Sequence, residues 1–426
     1  MSELRRRTLF GHPAGLSVLF LTETAAYFSA FGMQALLVLY MVESLGFDRA
    51  TASTVFGLFV GGANLTPLLG GWVADRFIGQ HRAVLLGAAL MAAGHGAMLW
   101  NAGLFPGLAL VALGNGFFIT SLITRIGALY AVDDPRRDRA FMIYYLGINV
   151  GSFLAPLCCG WLAQRYGWHV GFGAAAVVMA AGLIFYLCFQ HLVPRGHAAK
   201  VPDESSAVGT AHDMTALAAI LALVVLFRLG YEQTGNSVAL WIDRDVDRAL
   251  GTFLVPTPWF QSLNPLFIFL FSPLLAFYWR RRDERGRPID PIRKMATGAG
   301  FAAIAFAMLV AGAATGGVTP IGYVIAFFLC ITIAELHVFP IGLAMVARFS
   351  SAGNRSTMMG LWYLVKFVAG TTAGLLAAAS TRISAISFFM LNVALALVVG
   401  ALMLALHRRL TARPGSAFDK PIGLSS

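Results

Sequence analysis

Thr66-Pro67-Leu68-Leu69-Gly70-Gly71-Trp72-Val73-Ala74-Asp75-Arg76-Phe77-Ile78-Gly79-Gln80-His81-Arg82-Ala83-Val84 changes character once, between Asp75 and Arg82. Residues 52–74 before that turn carry no formal charge, and neither do residues 83–101 after it. A bilayer core is crossed by roughly 20 apolar residues in a helix. Two such runs joined by a short charged turn read as a membrane hairpin. Working outward, twelve stretches of this kind lie near 15–42, 52–74, 82–101, 105–130, 140–164, 169–193, 214–241, 256–279, 295–315, 319–347, 356–381 and 384–407. The first is too long for a cleavable signal peptide and lacks an A-x-A site.

Composition agrees. Of 426 residues, 58% are hydrophobic and only 12% are Asp, Glu, Lys or Arg, with mean hydropathy +0.73. Soluble proteins carry about 25% charged residues and cannot hide this much apolar surface. The chain therefore reads as an all-α integral membrane protein.

The net charge of +11 reports orientation. With a cytoplasmic N-terminus, the termini and even-numbered loops hold 23 of the 31 Lys and Arg, seven of them in Arg280–Lys294. The opposite side holds Arg49, Arg165, Arg244, Arg248 and Arg382. This obeys the positive-inside rule and predicts a multi-pass protein of the cytoplasmic (inner) membrane with both termini cytoplasmic. It also removes nucleic acid as a partner, because such a surface interleaves aromatics for stacking. The Arg280–Lys294 run reads first as a solvated anchoring loop, and second as a contact for anionic lipid headgroups.

Cys158, Cys159, Cys188 and Cys330 fall in apolar stretches, without disulfide or zinc spacing, and read as buried small hydrophobes. No metal or cofactor signature is present. Nor is there a Ser-His-Asp order, an H-E-x-x-H or a phosphate loop, so an enzyme is not expected.

The turn after the second span, Gly70 to Val84, resembles the first signature of the proton-dependent oligopeptide transporter family of the major facilitator superfamily, and the match continues through Gly94. The fifth span, with Phe141, Tyr144, Tyr145, Asn149, Gly151, Ser152 and Phe153, resembles the second signature. Weaker echoes are Phe28 to Met33, Tyr231-Glu232-Gln233, Asn264-Pro265, Glu335-Leu336, Pro340 to Leu343 and Gly360-Leu361-Trp362. The resemblance implies the major facilitator fold, twelve helices in two six-helix halves that rock to alternate access. An internal repeat fits it: Thr66-Pro67-Leu68-Leu69 recurs as Ser272-Pro273-Leu274-Leu275, and spans 1 and 7 each carry a glutamate, Glu23 and Glu232. The expected division is 1–193 for the first bundle, 194–213 for a polar linker, 214–410 for the second bundle and 411–426 for a tail.

The first helix departs from the family pattern Glu-x-x-Glu-Arg. Glu23 remains, but Ala26 and Tyr27 replace the second Glu and the Arg, Ala30 and Phe31 replace two Tyr, and Gln34 stands where a further Arg is usual. The fourth span lacks the family's Lys. In the family that basic cluster contacts the peptide carboxylate and takes part in proton coupling. The charges within spans are instead Arg125, Arg228 and Lys366 with Glu23, Glu232 and Glu335, a neutral set. A mid-bilayer charge costs at least ~2.5 kcal/mol on insertion scales, so unpaired ones are not expected. Arg228 and Glu232, at i and i+4, are placed to pair.

The residues of Gly70-Gly71 are expected to let span 2 approach span 11, and Asp75 to cap a helix N-terminus or pair with Arg76 or Arg82 as a latch. Asn149 reads either as an interhelical hydrogen bond or as the family's clamp on a peptide. His95 and His337 read as hydrogen-bonded core histidines.

The expected function is secondary transport of di- or tripeptides or peptide-like zwitterions, as proton symport with rewired coupling. Substrate-binding candidates are Asn149, Asn264, Glu335, Trp362, Lys366, Tyr27, Gln34 and Arg228. Glu335 is expected to meet an ammonium group, and Lys366 or Arg228 a carboxylate. Candidates for proton coupling or gating are Glu23, Glu232, Arg125 and Asp75, since a carboxylate in an apolar span is costly to keep charged. The alternative keeps the fold and changes the cargo to a specialised peptide-like metabolite, drug or siderophore, without obligatory proton coupling. Expected partners are the substrate, protons and the bilayer, with the protein acting as a monomer.

Overall fold

The computed structural model describes residues 8–9, 11–131, 134–194, 211–349 and 355–411. Most of the expected linker and nearly all of the expected tail lie outside these residues. Among the described residues the chain is almost wholly helical: α1 Ala14–Glu43, α2 Arg49–Val73, α3 Gln80–Ala97, α4 Leu104–Ala128, α5 Arg136–Tyr166, α6 Trp168–Phe189, α7 Ala211–Tyr231, α8 Ser237–Asp245, α9 Leu263–Glu284, α10 Pro291–Ala313, α11 Ile321–Arg348, α12 Arg355–Ser380 and α13 Ala385–Thr411. Three pairs of two-residue strands decorate the connections.

Among the described residues, eleven helical segments are long and apolar enough to cross a membrane. α3, the expected third span, is shorter and more polar, carrying Gln80, His81, Arg82 and His95. α7 and α8 form one segment, Asp213–Asp245, interrupted by a 3-10 turn at Glu232–Gly235. Large apolar side chains such as Leu69, Val177 and Leu402 are exposed, which suits an exterior solvated by lipid.

The chain divides into two compact units, Met1–Phe47 with Phe59–Pro202, and Asp48–Leu58 with Asp203–Ser426. In the first, α3 packs on α4, and α1 on α5 and α6, around a core that includes Leu19, Val84, Met91, Phe118 and Leu122. In the second, α10 packs on α11 and α13, and α7 on α12, around Val224, Phe227, Phe306, Phe327, Phe328 and Phe389.

Close helix approach needs residues without side chains, as in other membrane bundles. Here the structure corrects the expectation for Gly70-Gly71. A Cβ on Gly70 would lie 2.4 Å from the Gly116 carbonyl carbon, and one on Gly71 would meet Thr120, so both face α4, not span 11. The glycine of span 2 that meets span 11 is Gly57, where a Cβ would lie 2.4 Å from the Gly374 Cα. α2 continues into a wide turn at Ala74–Ile78 that ends on Gly79 at φ +77°. That positive φ lets the chain reverse directly into α3.

Two further expectations are corrected. Cys159 is buried, but Cys158 and Cys188 are exposed, lying on the outer faces of their helices. His95 is fully buried, yet neither ring nitrogen has a hydrogen-bond partner. Gly94, beside it, brings α3 against the Gly107 backbone of α4.

Candidate functional site

In the first unit, Glu23 sits in α1 with no exposed surface. The Tyr144 hydroxyl from α5 donates to its Oε1, and its Oε2 has no hydrogen-bond partner. Its carboxyl thus has one donor from a neighbouring helix and one bare oxygen. Tyr27 stacks on Phe31 one turn along, with ring centroids 5.9 Å apart. Gln34 is half-buried on the same helix. Asn149 is 5% exposed. Its Nδ2 donates to the Tyr145 carbonyl at 2.9 Å, so the bond lies within α5 rather than between helices.

Arg125 and Asp75 lie at helix ends. Arg125 is 1% exposed. It stands 5.9 Å over the Tyr186 ring and donates to the Val193 carbonyl at 3.4 Å. It thus holds the residue that follows the 3-10 turn Gln190–Leu192 after α6. Asp75 is exposed and accepts from Gln80, the first residue of α3.

In the second unit the candidates join. Arg228 and Glu232 form an ion pair across one turn of span 7, with side chains 9% and 14% exposed. The Arg228 guanidinium also lies 4.5 Å over the Phe339 ring of α11. Between them on α7, Tyr231 donates to Glu335 Oε2 at 3.0 Å. Asn264 from α9 donates to that same oxygen at 2.6 Å and to Thr332 Oγ1 at 3.1 Å. Glu335 Oε1 has no bond among the described residues. Lys366 lies on α12, and Arg228 and Glu232 are the charges that act on it. Trp362, one turn earlier, is 8% exposed, and its indole abuts Gly342 of α11. It therefore backs the cluster through α11.

The 3-10 turn in span 7 has a frame of its own. Gln233 Nε2 donates to the carbonyls of Leu229 and Ala373 at 3.0 and 3.1 Å, and the Ser237 hydroxyl donates to Gln233 Oε1 at 2.6 Å. Gln261 donates to the Thr234 carbonyl at 2.6 Å. The turn carrying Glu232 is thereby tied to α12 and to the turn before α9.

Residues that sequence reasoning gave no role are Tyr144, Tyr231, Thr332 and Phe339. Thr332 and Phe339 lie three residues before and four after Glu335, on its own helix face, a spacing that could have found them. His337 is 6% exposed, with Nδ1 2.8 Å from the Ile333 carbonyl and its ring against Trp279, away from Glu335. Among the described residues no three His, Cys, Asp or Glu side chains gather to hold a metal.

The sequence model of the POT family matches residues 81–205 and 193–390. The chain is 32% identical to the peptide transporter YePEPT of Yersinia enterocolitica subsp. palearctica, over 87% of this chain and 88% of that protein. It is 29% identical to the uncharacterized transporter YclF of Bacillus subtilis, over 94% and 95%. Among solved structures, it superposes on a variant of peptide transporter POT in complex with sulfate at a TM-score of 0.88, with 28% identity and coverage of 95% and 96%. A variant of that transporter in complex with alafosfalin gives 0.86 at 27% identity, with the same coverage.

Proposed function

This chain belongs to the POT family, has the all-α major facilitator fold and is a membrane transporter rather than an enzyme; on that footing we propose that it carries di- and tripeptides or peptide-like zwitterions, coupled to protons. The observation that carries this reading is the arrangement at Glu335. Asn264 and Tyr231 converge on Oε2, which fixes the carboxylate and leaves Oε1 for an ammonium group. Arg228 and Lys366 supply cations for a carboxylate from the same unit, in place of the basic cluster that α1 lacks. Asn149, Tyr27 and Gln34 are the first unit's candidates for peptide amide and side-chain contacts. Trp362 supports the site through α11.

Glu23 and Glu232 are the proposed proton carriers. Glu232 is tied to a cation and Glu23 to a hydroxyl, so their protonation has different consequences: only the first frees an arginine. Arg125 and Asp75 hold turns at helix ends and are assigned to gating. The distribution of Lys and Arg supports a cytoplasmic-membrane location with cytoplasmic termini, and we assign the working unit as a monomer.

The test is uptake of dipeptides into proteoliposomes with and without a pH gradient. Transport that rises with an inward proton gradient is expected. If no di- or tripeptide is carried or competes under either condition, the peptide reading fails. Lys366→Ala should weaken peptides with a free C-terminus about tenfold, and amidated peptides not at all, the scale of one charge-assisted hydrogen bond. Equal effects on both would remove Lys366 from the carboxylate site. A specialised peptide-like cargo is the second reading. It is favoured by the Tyr27–Phe31 ring pair, which gives α1 an apolar face.

A further inference from the structure

α9 carries a strip that the peptide cluster does not use. Leu270, Leu274, Phe277 and Arg281 recur at helical spacing and share one face. All four are exposed, Leu274 at 60%. Helical side chains lean back toward the N-terminus of their helix, and the arginines here do so. The Arg281 guanidinium carbon lies 4.8 Å from the Phe277 ring centroid. Arg282 lies 6.0 Å over the Tyr278 ring and donates to its hydroxyl at 3.4 Å. The Arg281 guanidinium is held one turn back along the helix, beside the apolar strip, and that of Arg282 is held between Tyr278 and the Arg287 carbonyl, to which its Nε donates at 3.2 Å.

The nearby acids are engaged elsewhere. Glu284 pairs with Arg280 at 3.4 Å. Asp290 caps α10 through the Ile292 and Arg293 amides and lies 3.2 Å from His407. Asp283 acts on Lys294, which is itself buried, with Nζ 4.4 Å over the Trp279 ring. Among the described residues, no carboxylate comes within 4.0 Å of Arg281, Arg282 or Arg285. Cations are thus left without anions, at the depth where a spanning helix meets headgroups.

We propose that this end of α9 binds one anionic phospholipid. Arg281, Arg282 and Arg285 hold its phosphodiester, and an acyl chain lies along Phe277, Leu274 and Leu270. Arginine suits the headgroup because its planar donors match phosphate oxygens. Basic clusters at the end of a spanning helix attract anionic lipid, on the order of fivefold per side chain. The assignment rests on the membrane reading, and on the proposed orientation only for the leaflet, which is the cytoplasmic one.

The test uses the full-length protein, purified in detergent and titrated with phosphatidylglycerol and phosphatidylcholine, with bound lipid read by native mass spectrometry. Phosphatidylglycerol should be retained about tenfold more than phosphatidylcholine. The double variant Arg281→Gln/Arg282→Gln should lose that preference while keeping its melting temperature. The control Arg408→Gln/Arg409→Gln, at the end of α13, should keep it. Leu274→Gln should reduce retention of both lipids. A double variant that keeps the preference, or a control that loses it equally, overturns the proposal. So does displacement by equimolar glycerol phosphate, because the apolar strip would then take no part. Peptide uptake is not the readout, so failure of the peptide assignment leaves this result intact.

Discussion

In the first unit the candidate residues stand on separate partners, Glu23 and Arg125 by bonds to distant segments. Glu23 takes a single hydroxyl, Asn149 bonds its own helix, Arg125 holds one carbonyl near the end of α6, and His95 has no partner. In the second unit the polar groups of α7, α9 and α11 share partners. Glu335 takes donors from two helices, Asn264 reaches two acceptors, and Arg228 serves both Glu232 and the Phe339 ring. Groups that share partners fix one another's geometry, and a fixed constellation of opposite charges is what recognition of a zwitterion requires. On the proposed reading, the contrast assigns the charged ligand contacts to the second unit and leaves Glu23 as the first unit's buried acid.

The largest test removes the acceptor on which that network converges. Glu335→Gln should lower peptide uptake about 1000-fold, since losing one partner of a buried charged contact costs 2–5 kcal/mol or more. Glu23→Gln should instead change the response to a pH gradient and leave counterflow of labelled peptide largely intact. If Glu23→Gln abolishes counterflow and Glu335→Gln does not, the contrast is reversed.

The ion pair on span 7 gives the next effect. Arg228→Met leaves Glu232 without its cation in a nearly dry site and should cost about 3 kcal/mol of stability, the lower end for a broken buried pair. Arg228→Met/Glu232→Met should recover most of it, as replacing both partners with apolar groups often does. Thermal unfolding of both variants in one detergent is the measurement. If the double variant is no better than the single, the pair has further partners that stabilise it.

These contrasts were only partly legible in the sequence. Charges inside apolar runs stand out, so Glu23, Glu232, Glu335, Arg228 and Lys366 could be picked from composition alone. The Arg228–Glu232 pair followed from i,i+4 spacing, which is a local property. Tyr144 escaped notice as the partner of Glu23 because the two are far apart in sequence and a hydroxyl is unremarkable in an apolar span. For Asn149 a bond across helices was one of two readings, but a short amide in a membrane helix can reach the carbonyl one turn back, and it does. Span 7 read as a continuous stretch near 214–241. The 3-10 turn at Glu232–Gly235 depends on Gln233 reaching Ala373 and Gln261 reaching Thr234, tertiary bonds with no signal in periodicity. Likewise glycine content signalled close packing, but not that Gly70 faces α4 while Gly57 faces α12.

A smaller effect tests the buried acid of the first unit. Tyr144→Phe removes the one donor to Glu23 and should cost about 1–2 kcal/mol, the penalty of stranding a buried acceptor. Tyr144→Phe/Glu23→Leu should restore stability. Thermal unfolding distinguishes this outcome from a connected network, in which the second substitution would add damage instead of removing it.

The smallest effect lies outside the spans, at the turn between α4 and α5. Asp134 accepts from Arg136 Nη2 at 2.8 Å, Nε at 3.1 Å and the backbone amide at 2.9 Å. The side-chain bonds first, and the backbone bond next, lower its carboxyl from 3.8 to about 2. A carboxyl lowered on folding contributes its full share above the unfolded value, and loses it as pH falls through the folded one. Asp134 is half-buried but its partner Arg136 is exposed, and ion pairs at the surface contribute little. Asp134→Asn should therefore lower the melting temperature by no more than about 1 °C. That difference should stay constant from pH 5 to pH 8 and shrink only between about pH 4 and pH 2. A difference that grows or vanishes near neutral pH would tie this turn to a second titrating group and overturn the reading of a lone Asp134–Arg136 pair.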